Sequence, residues 1–293
     1  MGDEDVADCS LVLRDGRTIA WTEFGGADGV PLLRFPGVPG SRWVIRADRT
    51  PWQERSLHVI TSERPGFGRS TRLLGRGFAE HADDMASLLD HLGLDQVHVC
   101  GASGAAPHIL AFAARHPDRV RAATVIAGAA RVTGDDLAQV IPINQRGYHL
   151  ASAGDERGLR ELLHPIADSM MADPLAGFMA QMATAPPEDQ AVMSDADWQR
   201  VLVRSVRESL GGGIDGWVDE SLALFGDWND VALESVTTSL TWYHTPHDRN
   251  APIAAARRLV ESLPHARLVE WPDGGHLAAY YREGEILDEL LSR

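Results

Sequence analysis

The 293 residues carry 27 basic and 42 acidic side chains, a formal net charge of -15, and 44% of them are hydrophobic. This length and composition fit a globular core with a modest insertion, and the acidic excess argues against binding to nucleic acid or to an anionic membrane surface. Two cysteines are too few for a disulfide framework. The sequence shows no secretory signal and no apolar run of membrane-spanning length, so we expect a cytoplasmic protein, either a monomer or a homodimer.

The first 130 residues alternate predicted strands with predicted helices. Residues 10–25 predict two strands joined at the turn signal Asp15-Gly16. The helix predicted at 78–94 has apolar residues at the spacing of one helical face. The other elements predicted here are strands at 31–37, 96–100 and 120–130, a strand with its following turn at 57–70, and a helix at 104–115.

Residues 131–235 differ from both flanks because they contain no convincing strand pattern. Helical patches in this region lie at 157–163, 168–182, 196–210 and 216–225. Beyond it we predict a strand at 238–248, a helix at 251–262, a strand at 266–271 and, after the turn "PDGGH", a last helix. Alternating strands and helices predict an α/β fold, a mainly parallel sheet with helices on both faces. We therefore expect a core domain of 1–130 and 236–293, with 131–235 as a helical cap insertion.

A serine stands among very small residues in "VHVCGASGAAPHIL", residues 97–110. One interpretation is a tight turn in which small side chains avoid clashes. The other is a nucleophile elbow, since G-x-S-x-G between a strand and a helix is its signature. Here the pattern runs from Gly101 through Ser103 to Ala105, with alanine in place of the last glycine. This setting favours Ser103 as a nucleophile.

A serine hydroxyl needs a base to be a useful nucleophile. On this topology the expected chain order is serine, acid, histidine. Asp248 is the only acid in "YHTPHDRNAP", although it could instead cap the helix that follows. His276 lies in the turn "PDGGH" after the last strand and is predicted to open the last helix. We expect Asp248 and His276 to complete a triad with Ser103. The weaker alternatives are Asp273 as the acid, and His247 or His265 as the base.

An oxyanion hole requires two hydrogen-bond donors. The backbone N–H of Gly104, directly after the nucleophile, is one candidate. The loop "FPGVPGSR" should supply the other, and Val38 is the better choice because Pro39 has no N–H.

Taken together, these stretches resemble the α/β-hydrolase family, of the esterase and haloperoxidase type. The resemblance is carried by "FPGVPGSR", "SERPGFGRS", "CGASGAAPHIL", "HTPHDRNAP" and "PDGGH". Two positions depart from the family pattern: Pro36 stands where histidine is usual, and Glu63 where aspartate is commoner. Arg34, in an otherwise apolar strand, has no explanation from the pattern. The chain contains no P-loop, zinc-spaced cluster or dinucleotide fingerprint, so we expect no cofactor and no metal.

The predicted cap is rich in methionine and aromatic residues. Packing of the cap onto the core would explain them, and so would an apolar substrate pocket. As substrate-binding candidates we select Met171, Phe178, Met182 and Trp217.

The predicted function is a serine hydrolase that cleaves an ester, thioester or lactone of a small to medium, apolar organic molecule. The same triad also serves C–C bond hydrolysis, amide hydrolysis and perhydrolysis. A non-catalytic ligand-binding protein on the same fold is the alternative from a different class.

Overall fold

The computed structural model describes residues 5–293, except for the side chain of Gln181, and eight of its segments form one sheet. The strands are β1 (Val6–Val12), β2 (Thr18–Phe24), β3 (Val30–Phe35), β4 (Leu57–Ser62), β5 (Val97–Ala102), β6 (Val120–Ile126), β7 (Leu240–His244) and β8 (Ala266–Glu270). Their order across the sheet is β1-β2-β4-β3-β5-β6-β7-β8. Only the β1–β2 and β2–β4 pairs are antiparallel, which confirms the mainly parallel sheet.

Twelve α-helices connect or follow these strands in the described part of the chain. They are α1 (Thr50–Gln53), α2 (Ala79–Leu92), α3 (Ala106–Arg115), α4 (Gly134–Leu137), α5 (Pro142–Ser152), α6 (Glu156–Ala172), α7 (Pro174–Gln181), α8 (Pro187–Ser194), α9 (Ala196–Leu210), α10 (Asp215–Leu224), α11 (Ile253–Glu261) and α12 (Glu283–Leu291). None of the described helices is both long and apolar enough to cross a membrane.

Helices cover both faces of the sheet because successive strand residues point to opposite sides. On one face, Leu33 of β3 packs in a cluster with residues of α2, α3 and α11. On the other face, Leu32 packs in a separate cluster with Trp52 of α1 and Leu287 of α12. Because the central strands are buried on both faces of the sheet, their sequences are nearly continuous apolar runs.

The helices between β6 and β7 differ in detail from the sequence prediction. The patches at 157–163 and 168–182 are divided differently: α6 runs through Pro165 to Ala172, and α7 begins after Asp173. The side chain of Asp173 accepts a hydrogen bond from the N–H of Ala176 at 3.0 Å, so it caps α7 and ends the continuous pattern. The helices α4, α5 and α8 were not predicted.

The last helix was also placed wrongly. It begins at Glu283, not at His276, because the 3-10 turn Ala278–Tyr281 intervenes. His276 therefore lies in the turn that leads into this 3-10 segment, two residues before Ala278.

A buried charge network joins α10 to the sheet domain. The carboxylate of Glu220 is fully buried and lies 2.5 Å from Arg76 Nη2, 2.8 Å from His108 Nε2 and 3.7 Å from Arg64 Nε. His108 Nδ1 lies 2.9 Å from His81 Nδ1. Burial alone would raise the pKa of Glu220, but His108 and the two arginines outweigh it and hold that pKa well below its usual range. Glu220 is thus an ionised anchor between the helical segment and the core.

Replacing Glu220 with glutamine should therefore destabilise the fold strongly. The two buried guanidinium groups would lose their counter-charge, which typically costs about 3–5 kcal/mol. Urea unfolding would measure the loss, with exposed Glu234→Gln as the matched control. A change no larger than that of the control would contradict the assignment of Glu220 as an anchor.

Candidate active site

The backbone at Ser103 is strained, as a nucleophile elbow requires. Its φ angle is 58°, a left-handed value that costs a non-glycine residue about 1–3 kcal/mol. The neighbours are small for a steric reason: a β carbon on Gly101 would lie 2.6 Å from Ala105 Cβ and 2.7 Å from the Phe35 carbonyl oxygen. Strand β5 and the following helix can approach so closely only without side-chain bulk. The turn presents the Ser103 hydroxyl to a cavity.

The structure brings Ser103, His276 and Asp248 together in one hydrogen-bonded chain. His276 Nε2 lies 2.9 Å from Ser103 Oγ, and His276 Nδ1 lies 2.8 Å from Asp248 Oδ2. The three residues follow β5, β8 and β7, whose carboxyl ends meet at one edge of the parallel sheet. A neutral imidazole that donates from Nδ1 to Asp248 has its Nε2 lone pair free to accept the serine proton.

Asp248 faces His276 and does not cap the helix that follows, since α11 has Pro252 at its N-cap and no side-chain cap hydrogen bond. Asp248 Oδ1 accepts hydrogen bonds from the N–H groups of Asn250 and Ala251, at 2.8 and 3.0 Å, while Oδ2 faces His276. Burial opposes the charge of this carboxylate, but His276 outweighs the burial and lowers the pKa of Asp248. The carboxylate is therefore fixed in direction and ionised.

The competing residues lie outside the site. His247 and His265 are exposed. Asp273 is exposed as well, and its carboxylate pairs with Arg282. The structure brings none of them to the Ser103 hydroxyl.

The loop after β3 is held in place by a buried arginine. Arg64 Nη1 donates to the Pro36 carbonyl at 2.6 Å, and Nη2 donates to the Gly37 carbonyl. The same loop brings Val38 against Gly104, where an added β carbon would lie 2.4 Å from Val38 Cγ2. Val38 thus packs beside Gly104, the residue that follows Ser103, and the oxyanion role of their N–H groups stays a prediction.

Glu63, the unusual acid of the neighbouring turn, is fully buried. One of its oxygens accepts from Arg42 Nη1 at 2.6 Å, and the other accepts from the N–H of Arg69 at 3.0 Å. Burial raises the pKa of Glu63 to about 7, against the opposing charge of Arg42. This carboxyl fixes the turn that carries Arg64.

A cavity of about 140 Å³ opens at Ser103 and His276 and has mainly apolar walls. The helical segment contributes Phe178 of α7 and Leu202 and Val206 of α9. Arg34 and Glu283 also line this cavity.

Of the four predicted substrate-binding residues, only Phe178 lines this cavity. Met171 is 37% exposed, Met182 packs beside Met193 and Leu277, and Trp217 packs against residues of α6 and α9. The selection of Met171, Met182 and Trp217 is therefore corrected for this cavity. The choice of Met171, Phe178 and Met182 assumed one helical stripe, which the break at Asp173 divides between α6 and the segment that begins with α7. Trp217 was selected separately and lies in α10.

Sequence reasoning missed Asp189, a buried residue of α8 that holds the His276 loop. Its Oδ1 accepts from the N–H of Gly275 at 2.9 Å, and its Oδ2 accepts from the N–H of Leu277 at 3.2 Å. The carboxylate therefore accepts hydrogen bonds from the backbone N–H groups of the residues on both sides of His276. No sequence signal pointed to it, because α8 itself was not predicted and the contact spans almost ninety residues.

The environment of His276 favours its protonated form. Burial alone would lower the pKa of the imidazole, but the charge and hydrogen bond of Asp248, together with the charge of Asp189, outweigh it and raise the pKa above the ordinary 6.5. An imidazole with a raised pKa is a stronger base toward the serine proton. Among residues 5–293, no cluster of histidine, cysteine, aspartate or glutamate is arranged to hold a metal ion.

Comparison with known proteins places this geometry in a family. Residues 30–163 match the family model described as the alpha/beta hydrolase fold. The chain is 32% identical over 278 residues to the uncharacterized hydrolase YcgS of Bacillus subtilis, covering 94% of each protein. The chain belongs to the α/β-hydrolase family. This confirms the resemblance found in the sequence, and the protein is a hydrolase of that fold.

Solved structures agree on the fold of this α/β-hydrolase. E-2-(acetamidomethylene)succinate hydrolase matches with a TM-score of 0.70 at 18% identity, covering 98% of this chain and 100% of that one. A thermophilic esterase from Thermogutta terrifontis matches with a TM-score of 0.66 at 20% identity, covering 98% of both chains. Similarity at this level of identity shows the fold alone.

The raised pKa of His276 predicts the pH dependence of Ser103 reactivity. Only the neutral imidazole accepts the serine proton, so reactivity should fall as the pH drops through a pKa above 6.5. The rate of modification by a fluorophosphonate, measured from pH 5 to pH 9 with a correction for the reagent's own hydrolysis, would give the midpoint. A midpoint at or below 6.5, or a flat profile, would contradict the argument.

The variant Asp189→Asn tests whether the Asp189 carboxylate holds the His276 loop in place. The amide removes a negative charge near His276, so the midpoint of the same profile should move to lower pH. The amide also replaces one of the two oxygens that accept from the His276 loop by an NH2 donor, so the loop should shift and displace the imidazole. The displaced imidazole should slow the modification of Ser103 by roughly 10- to 100-fold. Glu188→Gln, an exposed neighbour on α8 with the same change of charge, is the control. Equal profiles for the two variants would show that Asp189 does not position His276.

Proposed function

We propose that this α/β-hydrolase cleaves carboxylic esters, thioesters or lactones through an acyl-enzyme formed on Ser103. The single observation that carries the proposal is the continuous hydrogen-bonded chain from Ser103 Oγ through His276 to Asp248, at 2.9 and 2.8 Å. Ser103, the first residue of this hydrogen-bonded series, lines a mainly apolar cavity that suits the acyl part of a small organic molecule.

Each residue then has a defined task in acylation. Ser103 Oγ attacks the substrate carbonyl carbon while His276 Nε2 takes the hydroxyl proton, and Asp248 stabilises the imidazolium that results. The negative charge that develops on the carbonyl oxygen is stabilised by the N–H groups of Val38 and Gly104. The tetrahedral intermediate collapses, and His276 returns the proton to the departing alcohol or thiol.

Deacylation repeats these steps with water as the nucleophile. His276 takes a proton from the water, the hydroxide attacks the acyl carbon, and the proton passes to Ser103 Oγ as the carboxylic acid leaves. No cofactor is needed, because every proton and electron pair is accounted for within the triad, the substrate and one water molecule.

The helices between β6 and β7 support the assignment of a cap. They supply Phe178, Leu202 and Val206 to the cavity wall, and Asp189 to the His276 loop. We propose that residues 131–235 form this cap and that it selects the acyl group.

Removal of the triad should abolish the activity. Ser103→Ala and His276→Ala should each lower kcat for 4-nitrophenyl esters by about 10⁴- to 10⁶-fold, and Asp248→Ala by less. Ser87→Ala and His265→Ala, both exposed, are the matched controls. Release of 4-nitrophenolate is the readout.

Two outcomes would overturn the proposal in different ways. Wild-type turnover in Ser103→Ala would exclude the acyl-enzyme. Ligand binding without turnover, with an affinity unchanged in Ser103→Ala, would instead favour a binding protein. Turnover of amides or of β-diketones but not of esters would keep the triad and reassign the substrate class.

A further inference from the structure

Arg34 is a charged residue in the middle of an apolar strand. Its neighbours on β3, Leu33 and Phe35, are buried, and its own side chain is 18% exposed. A guanidinium in such surroundings is costly unless it has partners. The exposed part of this side chain faces the cavity that begins at Ser103.

The protein satisfies the guanidinium only in part. Arg34 Nη1 donates to the Val44 carbonyl oxygen at 3.3 Å, its one hydrogen bond to an oxygen within residues 5–293. Arg34 Nη2 lies 3.8 Å from a carboxylate oxygen of Glu283, beyond hydrogen-bonding distance. The ring of Trp52 covers one face, with its centre 4.9 Å from the guanidinium carbon. The Cys100 side chain is a further hydrogen-bond partner of Arg34. Since a guanidinium has five N–H donors, these two partners do not use all of them.

Two guanidinium groups, those of Arg34 and Arg46, approach Glu283. Arg46 also lies 3.8 Å from the exposed Asp48. Glu283 already accepts a hydrogen bond from Trp52 Nε1 at 2.7 Å and pairs closely with Arg46. One carboxylate is thus shared by two guanidinium groups, and the closer one is not Arg34. Burial opposes the charge of Arg34, but Glu283 outweighs it and raises the pKa, so the group stays protonated.

The distance from Ser103 suits a short acyl chain. Arg34 pairs with Cys100 in the β3–β5 register, three residues before Ser103. At about 3.3 Å per residue, Arg34 therefore lies roughly 10 Å below the nucleophile along the sheet. The cavity wall also includes Ile286 and Leu287, and its surface is mainly apolar.

We propose that Arg34 forms an anion subsite in the acyl cavity, so that preferred substrates carry a carboxylate at the far end of a short aliphatic acyl group. This inference rests on the proposed function and narrows it from apolar esters to monoesters or lactones derived from dicarboxylic acids. A carboxylate fits the planar fork of the guanidinium with two parallel hydrogen bonds.

The test compares two esters that differ mainly in the terminal group. Wild type should show a kcat/KM for mono-4-nitrophenyl adipate at least tenfold above that for 4-nitrophenyl hexanoate. In Arg34→Gln this ratio should fall by about 10- to 100-fold, the usual worth of a charge-assisted pair. Arg34→Lys keeps the charge without the fork and should retain part of the preference. Arg121→Gln, an exposed arginine of β6, is the control for the loss of one positive charge.

A binding measurement separates this inference from the proposed function. Calorimetric titration of Ser103→Ala with adipate should show binding, and the double variant with Arg34→Gln should bind at least tenfold more weakly. If no ester is hydrolysed and no fluorophosphonate attaches to Ser103, the proposed function fails, while adipate binding to the wild type still tests the subsite.

Three results would overturn the subsite. The first is a wild-type preference for the hexanoate ester. The second is an adipate-to-hexanoate ratio that is unchanged in a folded Arg34→Gln, which would leave Arg34 as a structural partner of Glu283. The third result applies if Arg34→Gln does not fold. The subsite is then overturned if Arg34→Lys keeps the full adipate-to-hexanoate ratio of kcat/KM and adipate does not bind to Ser103→Ala.

Discussion

The active site depends on one steric constraint, the tight turn between β5 and the helix that follows it. The turn forces Ser103 to a φ of 58° and leaves no room for a β carbon at Gly101. This conformation places the Ser103 hydroxyl beyond the end of β5, where the loops after β7 and β8 meet. The hydrogen bonds to His276 and from there to Asp248 are possible only because this backbone is held in an unfavourable conformation by the packing around it.

The helical segment does more than cover this site. Asp189 of α8 accepts from both peptide groups beside His276, and Glu220 of α10 is buried against Arg64, which in turn holds the carbonyl groups of the Val38 loop. Two carboxylates from one segment thus reach the base loop and the loop opposite it. Because both are buried, neither contact is screened by solvent, and the segment is coupled to the geometry of the site as well as to the shape of the cavity.

The sequence predicted those features that follow from local pattern and chain order. Ser103, Asp248 and His276 lie at the ends of strands whose alternation is readable, and parallel strands bring such ends to one edge. The boundaries of α6 and α7 were not predictable, because Pro165 lies inside a helix while the capping aspartate at 173 ends the pattern. Asp189 and Arg34 were beyond sequence reasoning for another reason: their meaning depends on contacts made by residues far away in the chain.

The most direct test of this account is to treat the folded protein with a fluorophosphonate and map the adduct by mass spectrometry, in wild type and in Ser103→Ala. An activated Ser103 should give one adduct on wild type, on the peptide that contains Ser103, and none on the variant. A folded wild type that remains unmodified at neutral to alkaline pH, or an adduct that persists in Ser103→Ala, would contradict the claim that this turn carries an activated nucleophile.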